Sequence, residues 1–201
     1  MRLMFRKWLI FGGIAAALIA ATVAFISFSD RPEKVPQEFL EARAKGTEIA
    51  SSINVFADSV VVDLQEIAKK NDEENYTAAL DLTIEEIKKA REAKDRSLEL
   101  LGELQKMVPS IEKMRTDAAQ QLAMQAVSTE VALVGKLIEY NDDLNKLLNN
   151  MRLKFVSYDP ASYDGETDSI TKAMNEKALQ INEMSRKYQM LMKDFDDKTK
   201  G

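Results

Sequence analysis

Few residues in this chain have the type and spacing for chemistry. Two Ser-x-x-Lys sequences occur, Ser110-Ile-Glu-Lys113 and Ser169-Ile-Thr-Lys172. That spacing sets an amine one helical turn from a hydroxyl, as in extracytoplasmic penicillin-recognising enzymes. The companion Ser-Asp-Asn and Lys-Thr-Gly elements are missing. Both serines also stand where a helix start needs a cap, and capping is the reading adopted for them. Asp164, Glu166 and Asp168 fall two apart, like the first half of a calcium loop, with Asp159 nearby as a fourth oxygen donor. Such a loop needs Gly at its sixth position and Glu at its twelfth; here these are Ser169 and Asn175. Calcium in the 159–168 loop is therefore a weak expectation beside a capped, solvated loop. With no His and no Cys, the Glu-x-x-His pairs of di-iron bundles and thiolate sites are ruled out. No nucleophile–base pair, cofactor motif or metal set remains, and the chain is read as a non-enzyme.

The elements that would carry such groups begin with an apolar run. No residue from Trp8 to Phe28 is charged; Arg2, Arg6 and Lys7 precede it and Asp30 and Arg31 follow. As a helix these residues reach about 31 Å, close to the thickness of a bilayer's hydrocarbon. The preceding cations predict an N-inside orientation with the bulk of the chain outside the cytoplasm. Trp8 and Phe28 mark the two interfaces, and Gly12, Ala16, Ala20 and Ala24 recur every fourth residue along one side. Ser27 and Ser29 also fit a cleavage site, but the apolar core is longer than that of a signal peptide, so an uncleaved anchor is the expectation. The layout is then a basic N-terminus over 1–7, an anchor over 8–28, a linker over 29–35 and a helical domain over 36–201.

Composition supports long helices: seven Gly, four Pro and 30% charged residues. The net charge of −5 comes from interspersed acids and bases, which excludes a nucleic-acid footprint. Apolar spacing predicts helices over about 36–70, 73–107, 110–156 and 168–198. Phe39, Ala42, Gly46, Ile49, Ile53, Phe56 and Val60 form the inward stripe of the first, and Leu80, Ile84, Ile87, Leu98, Leu101 and Val108 that of the second. Lys88 to Arg96 interrupts the second stripe so that only alanines could face inward; a solvated outer face is expected there rather than a thin point in the core. Val108-Pro109-Ser110 is expected to break the chain. The third helix is apolar nearly all round from Leu122 to Ile138, with Glu130 and Lys136 its only charges there, either paired inside or turned to solvent. The fourth repeats Ile170, Met174, Lys177, Ile181, Met184, Tyr188, Leu191 and Phe195, a coiled-coil seam.

The fold expected is all-α: one N-terminal transmembrane helix, then an antiparallel up-down four-helix bundle. In layout alone, an anchor followed by an extracytoplasmic bundle of long helices, the chain resembles the LemA family; no continuous motif is shared and no residue role is carried over. The end of the third helix is expected to project at the membrane-distal tip. Surplus apolar surface at Val131 and Val134, and the tip residues Met151, Phe155, Tyr158 and Tyr163, are the expected contacts for a protein partner or a second copy. The function expected is protein interaction or scaffolding in the cell envelope, at the membrane. The alternative is a ligand-binding sensor or carrier that signals through a partner.

Overall fold

The computed structural model describes residues 35–157 and 164–200, and among these there are four helices and no strand. They are α1 (Gln37–Asp72), α2 (Tyr76–Ile111), α3 (Asp117–Ser157) and α4 (Asp164–Lys200). Each packs along the next, giving an up-down-up-down order. The anchor residues Trp8, Gly12, Ala16, Ala20, Ala24 and Phe28 lie outside the described residues. Within the described residues no helix is long and apolar enough to cross a membrane.

The ends of the helices follow from local chemistry. Pro36, which lacks an N–H, stands just before α1, and its carbonyl accepts from Phe39 N and Leu40 N. Glu38 in the first turn and Lys69 and Lys70 in the last complement the helix dipole. Asn75 N then donates back to Lys70 O, with Glu74 held at φ 58°. Asn75 Oδ1 in turn accepts from Ala78 N at 3.3 Å and caps α2. Glu74 is the only described non-glycine residue in the left-handed region, where a Cβ costs about 1–2 kcal/mol. Glu74→Gly is accordingly expected to stabilise the bundle by about 1 kcal/mol, read as a rise in urea midpoint. A fall would show that the Glu74 side chain holds the turn.

The second break differs from expectation. The helix runs through Pro109 to Ile111, and Ser110 is no cap: its hydroxyl is buried and donates to Met107 O at 2.6 Å. Pro109 and Gln105, whose carbonyl loses its partner, both lie on the exposed side, where water can replace the bond. The cap of α3 is Thr116, whose Oγ1 accepts from Ala119 N. α4 begins at Asp164, so Asp164, Glu166 and Asp168 stand on its first turns, where positions two apart diverge around the axis. Residues 158–163 of the loop expected to hold calcium, Asp159 among them, lie outside the described residues.

The core divides lengthwise into two clusters. One holds Leu64, Ile67, Leu144, Leu147, Leu148, Met174 and Ile181, the other Phe39, Met107, Ile111, Ala123, Met192 and Phe195. Met151 and Phe155 belong to the first cluster, and the Phe155 ring lies 6.4 Å from that of Tyr76. The end of α3 therefore does not project; the start of α2 covers it.

The middle of α2 is where the bundle is thinnest. Ala90, Ala93 and Ser97 are all buried, so the alanines between the charges do face inward. The inward row of α2 runs Ala79, Thr83, Ile87, Ala90, Ala93, Ser97, Leu100, Leu104 and Met107. It shares only Ile87 with the row expected from the large apolar residues. Small side chains bring α1 and α2 close, and an added Cβ at Gly46 would stand 3.3 Å from Leu100 Cδ1. The hydroxyls of Thr83 and Ser97 donate to carbonyls one turn back, so burying them leaves no donor unpaired.

Candidate interaction surface and buried ionisable groups

The large residues displaced from the α2 core row form a second row on its outside. Leu80, Ile84, Arg91, Lys94, Leu98, Leu101, Gln105 and Val108 keep helical spacing along it, with the buried Ile87 at its inner edge. Ile84, Leu98 and Val108 are exposed, Leu98 to 49%, while Leu80 and Leu101 are half-buried against the core. Within this row Lys94 Nζ donates to Asp142 Oδ1 of α3 at 2.6 Å, which places the row beside α3. The α3 row through Asp142 has the same spacing: Met124, Ser128, Val131, Gly135, Ile138, Asp142, Asn145, Asn149, then Leu153 and Val156. Met124, Leu153 and Val156 are exposed, Val156 to 58%, and Val131 and Ile138 are half-buried. The two rows flank one outer groove along α2 and α3, apolar at its ends and polar in the middle.

The expected contact residues separate on this surface. Val131 lies on the groove. Val134 is fully buried, and Met151 and Phe155 are core residues, so all three contact the bundle's own helices rather than a partner. Their burial corrects the reading of α3: its apolar circumference is covered on two sides by α2 and α4. Tyr158 and Tyr163 lie outside the described residues.

A second feature is interior. Arg43 of α1 and Asp196 of α4 are buried and joined by two parallel bonds, Nη1 to Oδ1 at 2.9 Å and Nη2 to Oδ2 at 3.1 Å. The rings of Phe39 and Phe195 meet at a 42° tilt with centroids 5.4 Å apart. Asn175, Asn182 and Gln189 precede Asp196 at seven-residue intervals, so α4 turns a polar edge towards α1. The α1 and α4 backbones accordingly approach less closely than the sequential helix pairs. Tyr188 is buried in this region; burial pushes its hydroxyl well above the usual range, with the negative charge of Glu130 adding to the effect.

Glu130 does not pair with Lys136, which bonds Glu139 on the surface. It is buried with Oε2 unpartnered, and burial pushes its carboxyl up to about 7. Glu86 of α2, only 1% exposed, is also pushed to about 7, by burial first and then by the neighbouring Asp63 carboxylate, against the pull of Lys89. Its oxygens make no well-aligned hydrogen bond, although Lys89 Nζ lies 3.4 Å away, itself held by Asp63 at 2.6 Å. Spacing flagged Glu130 as a charge in an apolar stretch. Glu86 and Arg43 each adjoin a core-row residue, Ile87 and Ala42, and nothing local marks them as inward.

Neither feature resembles an active site. Ser110 and Lys113 are not paired: the serine bonds its own helix and Lys113 Nζ bonds Glu38 at 3.0 Å. A depression of about 240 Å³ beside Met124, Gln125, Ser128, Thr129 and Lys187 is open to solvent and encloses nothing. No protein-family model matches the chain, and no curated protein or solved structure is significantly similar to it, so the likeness in layout to the LemA family has no counterpart in sequence.

Proposed function

We propose that the chain is a membrane-anchored, extracytoplasmic helical bundle that serves as a protein-interaction or scaffolding module of the cell envelope. The observation that carries this reading is the outer α2–α3 groove, where Ile84, Leu98 and Val108 of α2 stay exposed at helical spacing on either side of a polar stretch at Arg91 and Lys94. Apolar residues held at helical spacing on a helix pair form a surface to which another helix can dock. The anchor and orientation come from Trp8–Phe28 and the cations before it. The depression beside Met124 and Lys187 is open to solvent and does not favour the ligand-sensor alternative.

A photo-crosslinking residue at Leu98 of the full chain, in the membranes of cells that make it, is expected to give a discrete adduct. The same residue at Leu179, which is 71% exposed but isolated among charges on α4, is expected to give none. Equal adducts at both positions, or none, would remove the groove as the working surface. Because the chain lacks cysteine, Ser51→Cys gives a clean topology probe. Its labelling by a membrane-impermeant maleimide in intact cells is expected; protection until lysis would place the bundle inside.

A further inference from the structure

We infer that the occupant of the α2–α3 groove is a second copy of this chain, related by a two-fold axis parallel to the helices, so that α2 of each copy lies on α3 of the other. This inference rests on the interaction reading above and deepens it.

The register follows from the Lys94–Asp142 bond. In antiparallel helices of equal rise, every pair whose numbers have the same sum lies at the same height. Leu80 is then level with Val156, Leu98 with Ile138, Leu101 with Gly135, and Arg91 with Asn145. A two-fold axis along the bundle preserves height, so the same pairs meet again between copies. Leu80 thus faces Val156 and Leu98 faces Ile138, while the levels between them are polar and Val108 faces Ser128. Asp142 of one copy comes within a turn of Arg91 of the other. Arg91 is exposed and forms no ion pair with the described residues, which makes it the cation available to a carboxylate from outside. Lys94, by contrast, is already held by Asp142 in its own chain.

Three further points fit this occupant. A Cβ added at Gly135 would meet nothing within 4 Å, so this position of the groove is open to a partner's side chain. The row from Leu80 to Val108 spans about 42 Å. With two helices abreast this face is on the order of 800 Å² per copy, the size of a standard stable interface. The axis also keeps both Pro36 ends on one side, as two chains anchored in the same membrane require.

The full chain in detergent micelles, measured by light scattering across concentration, is expected to have twice the mass of one chain. Leu98→Glu and Gly135→Glu are expected to halve it, and Leu179→Glu to leave it unchanged. Gly135→Glu is the decisive variant, since its position is open and glutamate favours helix over glycine. Mixing two single-cysteine chains, Leu98→Cys and Ile138→Cys, is expected to give more disulfide-linked dimer than either alone. A monomer at all concentrations, or no gain on mixing, overturns the second copy as occupant. If the Leu98 photo-adduct then contains a different protein, the interaction reading stands without this inference; if no adduct forms either, both fall.

Discussion

Asp196→Ala is expected to destabilise the bundle by about 3–5 kcal/mol, because it leaves a guanidinium buried without its counter-charge. The Arg43–Asp196 pair is bidentate and almost fully buried, and it joins the first and last helices across the one side where backbones stand apart. Arg43→Ala should cost a similar amount by stranding the carboxylate. Replacing both residues with apolar ones, Arg43→Met with Asp196→Leu, should lie within about 1 kcal/mol of the parent or above it, since the desolvation of two charges disappears along with their attraction. Urea denaturation of the three variants and the parent closes the cycle, with midpoints compared at equal slope. A loss under about 1 kcal/mol for both single variants would mean that water reaches the pair. The row Asn175, Asn182, Gln189 and Asp196 makes this the polar side of the bundle, where the ion pair is expected also to select which helix α4 adopts as its neighbour. A double variant as stable as the parent but with a less cooperative transition would separate that role from stability.

How much of this was legible depends on what each helix puts inside. In α4 the four-three spacing is unbroken, and Met174, Ile181, Tyr188 and Phe195 are buried as that spacing requires. The structure only rotates the row, adding Ala178, Ser185, Met192 and Thr199. In α2 the same reasoning selects the wrong face. Two rows share one period there, and the one holding the large residues is the outer one. Periodicity gives the angle between rows but not which is inward; residue size misleads when close helix packing puts alanine, serine and threonine in the core. The same rule hides the groove, since it assigns Leu98 and Leu101 to the interior. Arg43 and Asp196 lie 153 residues apart, and no local spacing could pair them. Pro109 predicts a break because proline usually makes one; on the solvent side of a last turn it is tolerated.

The second large effect is a loss of stability as pH rises from about 5 to 8. Glu130 and Glu86 are held near 7 in the folded bundle, against an ordinary value of 4.5. Between those values the folded chain keeps protons that the unfolded chain has released, so unfolding becomes easier with every rise in pH across the window. The stabilisation is complete below about 4.5 and is lost as pH passes 7. For each carboxyl the limit is about 3 kcal/mol. Glu130 is the cleaner probe, because Glu86 also responds to Asp63 and Lys89 beside it, whereas burial alone raises Glu130. The charges around it do not rescue it: the tyrosine it faces is itself driven to stay neutral, and Arg43 is engaged by Asp196. Asp143 acts oppositely. Burial raises it, but the bonds from Lys177 and Lys146 outweigh this and hold its carboxyl below the usual range, so its contribution is lost only in acid, outside this window. The melting temperature is therefore expected to fall by several degrees from pH 5.5 to pH 8. In Glu130→Gln, whose amide is neutral throughout, the fall should shrink by at least half, with the variant more stable than the parent at pH 8. A parent curve that is flat or rising over this interval, or an unchanged slope in the glutamine variant, would show that Glu130 is ionised and solvated, and that the core opens to water at this level.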